Sequence, residues 1–152
     1  MFDLLRSGGV LTMAVTLAAA SPVVAAQPSA AGHVKIASGS VFIVHQNETV
    51  PARPGDPVFA TDALRTGVDG TVGVTLNDDT RLSLGPSSEV RLDRYVYAPG
   101  EGSYGMVLHF VRGVAAYVSG RMAKLAPDSI RLETPAAIVG VRGTTVAVRV
   151  EP

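Results

Sequence analysis

The sequence predicts an all-β domain, and three observations support this fold class. Apolar residues alternate with polar or small residues in short segments, which is typical of strands with one buried face. No stretch of ten or more residues combines the apolar spacing of a helix with start and stop signals. The sixteen glycines and ten prolines stand mostly between the short apolar segments, as in the turns of an all-β domain.

The clearest strands are three consecutive segments in the middle of the chain. Their apolar residues recur at intervals of eight: Val74, Leu82 and Val90, and likewise Leu76, Leu84 and Leu92. The spacing fits an antiparallel meander with turns at residues 77–80 and 85–88. It fits equally well a small solenoid in which like positions of stacked strands point inward.

A second set of strands is predicted after residue 105. Residues 106–118 are expected to form two strands broken near Arg112 and Gly113, followed by strands at 129–134 and 138–150. Residues 121–126 are the one ambiguous segment, and they fit a single helical turn before Pro127.

The N-terminus has the features of a secretory signal peptide over residues 1–26. A short start that contains Arg6 precedes an apolar segment at 8–20, and Val24 and Ala26 stand at the −3 and −1 positions of a cleavage site. We expect cleavage near Ala26, a flexible lead-in at 27–38 and the all-β domain at 39–150. The mature protein would then be periplasmic or secreted, with no membrane span.

Charge and cysteine content exclude several functions. The formal net charge is zero, so nucleic acids and anionic membranes are poor partners. The chain contains no cysteine, which excludes disulfides, thiolate catalysis, thiolate metal sites and a lipid-modified cysteine.

Motifs that suggest catalysis or cofactor binding have simpler interpretations. Gly100, Gly102 and Gly105 match the dinucleotide-binding pattern, but a β-type segment follows them where that pattern needs a helix. Asp78 and Asp79 lack the spaced carboxylates of a calcium loop and are typical of a turn. We therefore predict a non-enzymatic protein with no catalytic residues and no cofactor.

The three histidines do not form a metal motif by spacing. His33 lies in the lead-in, His45 follows a strand, and His109 is expected to point outward from an alternating strand. The sequence therefore predicts no metal site. From charge alone, we expect Arg142 to form an ion pair with Glu133 or Asp93.

Four segments in order resemble the FecR domain, the extracytoplasmic domain of FecR-type iron-transport regulators. They are residues 54–56 (PGD), 64–67 (LRTG), 74–92 and 133–148. The residues that carry this resemblance are Gly55, Asp56, Arg65, Thr66, Gly67, Thr134, Pro135, Arg142, Gly143 and Thr144. The resemblance implies that these residues are a structural signature without a catalytic role.

The resemblance also implies a fold and a role. It favours short strands in a β-solenoid-like or rolled arrangement, with an antiparallel β-sandwich as the alternative. We expect a free-standing secreted module that acts in protein–protein binding or envelope signalling. Its expected partner is an envelope protein such as an outer-membrane receptor or a membrane regulator. We do not expect sigma-factor binding, since only residues 1–7 precede the apolar segment. The alternative function is a structural or polysaccharide-binding protein of the cell envelope.

Overall fold

The structure is a computed structural model, and it describes residues 9, 19–24, 28–141 and 145–151. Most of the predicted signal peptide, including Ala26, lies outside the described residues. Among the described residues, no helix is long and apolar enough to cross a membrane.

The described chain folds into twelve strands, one short α-helix and two single 3₁₀ turns. The strands are β1 (Gly32–Ser38), β2 (Val41–His45), β3 (Glu48–Pro51), β4 (Pro57–Val58), β5 (Ala63–Thr66), β6 (Thr71–Leu76), β7 (Arg81–Leu84), β8 (Glu89–Ala98), β9 (Ser103–Val118), β10 (Ile130–Glu133), β11 (Ile138–Gly140) and β12 (Thr145–Val150). The α-helix α1 spans Arg121–Leu125, and the 3₁₀ turns span Pro99–Glu101 and Pro127–Ser129. The all-β prediction is confirmed, and so is the helical turn before Pro127.

The strands form one curled sheet in the order β3-β2-β5-β8-β9-β7-β6-β1-β4, to which β10, β11 and β12 are added. All pairs are antiparallel except β9 with β10, which is parallel. This is the rolled arrangement that the family resemblance favoured, and it is not a solenoid. A hairpin explains the first part of the eight-residue interval, because Val74 of β6 lies opposite Leu82 of β7. The next strand, β8, pairs with β5 and β9 and not with β7.

Strand β9 joins the two halves of the sheet. Its N-terminal part pairs with β8 and β10, and its C-terminal part pairs with β7 and β12. The sequence predicted two strands with a break near Arg112 and Gly113, but β9 is continuous there. Gly113 has φ +83° and bends the strand without ending it, because glycine adopts a positive φ at no steric cost.

The core lies inside the curl. Val74, Leu76 and Leu82 from one half line the same internal space as Leu64, Val90 and Leu92 from the other half. All six are buried, and for all except Leu64 the alternation with polar residues predicted this. Because burial of a Leu or Val side chain contributes about 1.5–3 kcal/mol, this shared core holds the two halves together.

The N-terminal boundary of the domain differs from the sequence prediction. Residues 32–38 form β1, where a flexible lead-in was expected, and β1 pairs with both β4 and β6. Ala31 and Val34 are buried in the core. The alternation was hard to recognise because only Gly32 and Val34 of β1 are buried, and polar residues stand on both sides of Val34.

Candidate functional site

Charged side chains cover the outer surface of four neighbouring strands. In β5, β8, β9 and β10 the buried positions alternate with outward positions, and nine of the outward positions hold an Arg, Asp, Glu or His residue. We call this surface the charged face, and it consists of Arg65, Glu89, Arg91, Asp93, Arg94, His109, Arg112, Arg131 and Glu133. It is the candidate functional site.

Strand register arranges these side chains in two rows. In the first row Arg91 of β8 lies opposite His109 of β9, which lies beside Glu133 of β10. In the second row Arg65 of β5 lies opposite Glu89 of β8, which lies opposite Arg112 of β9. The residues of a row come from strands that are far apart in sequence.

The second row is an ion-pair network. The Glu89 carboxylate lies 3.3 Å from the Arg65 guanidinium and 3.8 Å from that of Arg112. Arg65 and Arg112 remain 39% and 49% exposed, so solvent screens both pairs and their contribution to stability is small. Their exposure leaves both guanidinium groups able to contact a partner.

A β-bulge shapes the first row. The register shifts between Leu92 and Arg94, so Asp93 is an extra residue in β8. Arg91 donates hydrogen bonds to both Asp93 oxygens, from Nε at 3.0 Å and from Nη2 at 3.4 Å. The hydrogen bond with Asp93 raises the pKa of Arg91 above its ordinary value, and the charges of Asp93, Glu89 and Glu133 raise it further.

The bulge also directs Arg94 outward, next to Asp93. The Arg94 side chain lies across Gly105 of β9, where a Cβ atom would come within 2.9 Å of its Nε. Within the described part of the chain, no carboxylate pairs with Arg94. Its guanidinium group is therefore an unneutralised positive charge on the surface.

The charge of this face differs from that of the whole chain. The face contains five arginines and three carboxylates, which leaves two positive charges in excess with His109 neutral, whereas the chain as a whole is neutral. Arginine binds planar anions such as carboxylates through two parallel hydrogen bonds. The arrangement therefore favours an acidic partner.

Arg65, Thr66 and Gly67 of the predicted signature link β5 to the turn before β8. The Thr66 hydroxyl donates to the Gly85 carbonyl at 2.7 Å and accepts from the Ser88 backbone N–H at 2.9 Å. Gly67 donates its N–H to the Ser40 carbonyl and lies too close to Ser40 for a larger side chain. Thr66 and Gly67 have structural contacts, and Arg65 contributes to the charged face.

Gly55 and Asp56 of the signature form a turn before β4. Gly55 has φ +94° and donates its N–H to the Val34 carbonyl at 2.7 Å. The Asp56 carboxylate accepts from the Arg53 backbone N–H at 2.8 Å. This turn lies away from the charged face, on the strands that cover the N-terminal side of the core.

Thr134 and Pro135 form the turn between β10 and β11. The Thr134 hydroxyl oxygen accepts from the Ala137 backbone N–H at 3.0 Å, which closes the turn. Arg142, Gly143 and Thr144 lie outside the described residues, and with them the predicted ion pair of Arg142. The two carboxylates proposed for that pair both lie on the charged face.

A second polar group lies in a cleft next to β2. His45 Nδ1 hydrogen-bonds to the Asp62 carboxylate, which is 1% exposed and also accepts from the Phe59 backbone N–H at 2.9 Å. A His–Asp pair activates a nucleophile in many hydrolases, but the described residues that line this cleft include no Ser, Thr or Cys. Asp62 closes the turn before β5, and its hydrogen bond with His45 joins that turn to β2.

The sequence placed His109 outward but did not predict its neighbours. Asp93, His109 and Glu133 each offer a ligand atom, and these atoms lie within 4.8 Å of one another. Each of the three residues stands at an outward position of an alternating strand, and this alternation is the only feature of the sequence that points to the cluster. Their proximity depends on the β8–β9 and β9–β10 register, which no local pattern reveals.

Comparison with known families identifies the class of this protein. Residues 62–152 match the family model described as FecR protein, and the chain belongs to this family. The match includes the charged face and all signature residues except Gly55 and Asp56. No curated protein and no solved structure matches the chain significantly. Membership of the FecR family suggests a role in signalling or regulation.

Proposed function

We propose that this chain is a non-enzymatic periplasmic module that binds an envelope protein and takes part in envelope signalling. The partner would be an outer-membrane receptor or a membrane regulator. Family membership and the predicted signal peptide at residues 1–26 support the class and the location. The observation that carries the proposal is the charged face, with its excess of arginine.

The binding mode follows from the chemistry of that face. Arg94 has no carboxylate partner among the described residues, and Arg112 is only loosely paired with Glu89 at 3.8 Å. An acidic partner would gain pairing with both guanidinium groups without first breaking strong pairs. Complementary charge mainly increases the rate of association and the selectivity for the partner.

The experiment is cross-linking in the intact envelope, with the captured proteins identified by mass spectrometry. A photo-reactive residue in place of Val107, which lies opposite Arg94 and two positions before His109, would capture a bound partner. We expect repeated capture of one receptor or membrane regulator. Capture of glycan or of neighbouring copies of the chain would favour the structural alternative.

Charge reversal locates the contact. We expect Arg94→Glu and Arg112→Glu each to reduce capture about tenfold, which corresponds to about 1.4 kcal/mol of binding free energy. The matched control is Arg81→Glu, which makes the same charge change at an exposed position of β7, outside the charged face. An equal loss of capture in all three variants would contradict the proposal that the partner binds the charged face, because the loss would then reflect net charge alone.

The location has its own test. We expect the protein recovered from the periplasmic fraction to begin at Gln27. A protein that retains residues 1–26 in the cytoplasmic fraction would contradict both the signal peptide and the periplasmic function.

A further inference from the structure

We propose that Asp93, His109 and Glu133 bind a single divalent transition-metal ion. The three residues lie on three neighbouring strands, β8, β9 and β10. Together they offer one imidazole nitrogen and two carboxylate oxygens, all within 4.8 Å of one another. In the described ranges of the chain, no other three residues of these types come so close.

The distance between His109 and Glu133 suits a shared ion. The two residues lie side by side in the parallel β9–β10 pair, and His109 Nδ1 is 3.5 Å from Glu133 Oε2. Two ligands that are each about 2.0–2.1 Å from a tetrahedral zinc ion lie about 3.3 Å apart. Little movement is therefore needed to bring both atoms onto one ion.

The β-bulge supplies the third ligand. Because Asp93 is the extra residue between the Leu92–Leu108 and Arg94–Val107 pairs, both Asp93 and Arg94 project outward. Bulges redirect side chains and are frequent beside functional sites. Here the bulge turns a carboxylate toward the His109–Glu133 pair from the opposite side of β9.

The neighbouring arginines leave lone pairs of the ligand atoms available. Arg131 lies 3.8 Å from Glu133 Oε1, whereas Oε2 is the oxygen that faces His109. Arg91 hydrogen-bonds to Asp93, but each carboxylate oxygen has two lone pairs and can bind a metal ion at the same time. Such outer partners hold ligands in position. Their positive charge also weakens the site, so we expect lower affinity than in a closed structural zinc site.

The donor set indicates the kind of ion. One nitrogen and two oxygens, without thiolate, suit first-row divalent ions such as Zn²⁺, whereas Ca²⁺ prefers oxygen ligands alone. His109, Glu133 and Asp93 are 24%, 26% and 35% exposed, so water can complete the coordination shell. An ion bound here would be accessible from the charged face.

The experiment is calorimetric titration of the full chain with Zn²⁺, after chelator treatment and without a histidine tag. We expect one Zn²⁺ per chain. We expect His109→Gln, Glu133→Gln and Asp93→Asn each to lower the affinity by at least about tenfold. The matched controls are His33→Gln and Asp79→Asn, which remove an exposed imidazole and an exposed carboxylate elsewhere.

A second measurement identifies the bound atom. In NMR spectra of the imidazole nitrogens, Zn²⁺ should shift Nδ1 of His109 and leave His33 unchanged. No binding, or binding that the control variants abolish and the site variants retain, would overturn the proposal. Circular dichroism of each variant would show that the β-fold is intact.

The metal site and the proposed function are tested independently. The titration contains no partner protein, so the identity of a partner does not affect it. Arg94→Glu and Arg112→Glu change no ligand and should retain one Zn²⁺ per chain. Failure of the titration would leave the partner experiment unchanged, and the reverse also holds.

Discussion

The buried carboxylate of Asp78 accepts a hydrogen bond from the Tyr95 hydroxyl at 2.9 Å, which joins the β6–β7 turn to β8. The same hydroxyl accepts from the Asp78 backbone N–H at 3.0 Å. Asp78 also accepts from the Thr80 hydroxyl at 2.7 Å and from the Met122 N–H at 3.3 Å. Asp78 thus connects the β6–β7 hairpin to strand β8 and to helix α1.

We predict that Asp78→Asn destabilises the protein by about 2–3 kcal/mol. The substitution removes the charge from a fully buried acceptor of several hydrogen bonds, and bonds to a charged group contribute about 1.5–3 kcal/mol each. Urea unfolding would measure the loss. The control is Asp79→Asn at the next position, where the carboxylate is 61% exposed and pairs with the exposed Arg121. An equal loss for both would contradict the role of Asp78.

Alkaline pH should destabilise the protein partly through Tyr95. Burial raises the pKa of the Tyr95 hydroxyl well above its ordinary value, and the charge of Asp78 raises it further. Above about pH 10 the unfolded chain loses this proton while the folded chain keeps it, so the folded state binds more protons. Stability therefore falls as pH rises, by at most about 1.4 kcal/mol per pH unit for this group.

Tyr95→Phe tests this pH dependence. We expect the variant to be less stable than the natural protein at pH 7, because Asp78 loses a hydrogen bond. The difference should narrow above pH 10, since phenylalanine has no proton to lose. Denaturant unfolding at pH 7 to 11 would follow both proteins. Curves that remain parallel across this range would contradict the raised pKa.

Thr66→Val should destabilise the protein by about 2 kcal/mol. Valine keeps the shape of the side chain but leaves the buried Ser88 N–H and the Gly85 carbonyl without their hydroxyl partner. Thr134→Val is the matched control, because its hydroxyl closes an exposed turn where water can replace it. Thermal unfolding would compare the two. A loss at position 134 as large as at 66 would be evidence against this explanation.

Gly113→Ala should destabilise the protein by about 2–4 kcal/mol. Gly113 has φ +83°, and a Cβ atom would lie 2.2 Å from Ser88 Oγ and 2.7 Å from the Ser87 carbonyl oxygen. Backbone strain and steric overlap both contribute to this loss. Gly100→Ala is the control, since no atom lies within 4 Å of its added Cβ. Chemical denaturation would measure the stability of both variants. Unchanged stability of Gly113→Ala would contradict the prediction and would mean that the bend of β9 can relax.

Much of the fold was predictable from local patterns. Alternation in β6 and β7 identified buried positions such as Val74 and Leu84 correctly. The turn at residues 77–80 was also predicted, and Asp79 there adopts φ +68°. Gly100 lies in a 3₁₀ turn and Gly105 lies in β9, so a strand and not a helix follows this turn, as its sequence context indicated. These features depend on neighbours in sequence.

The pairing of distant strands was not predictable from those patterns. An interval of eight residues fitted a meander and a solenoid alike, and the structure places β7 and β8 apart, each paired with β9. Gly113 looked like a strand end because glycine often ends strands. In the structure it is a bend inside a strand that has partners along its length.

The sequence by itself determined that this protein is an all-β member of a recognisable family, with His109 at an outward position of its strand. Only the tertiary structure decided that Arg91, His109 and Glu133 form one row and that Asp93 joins them through a bulge. The physical reason is that alternation fixes which face of a strand is buried, whereas register depends on how the whole core packs. The charged face and the metal ligands both follow from that register.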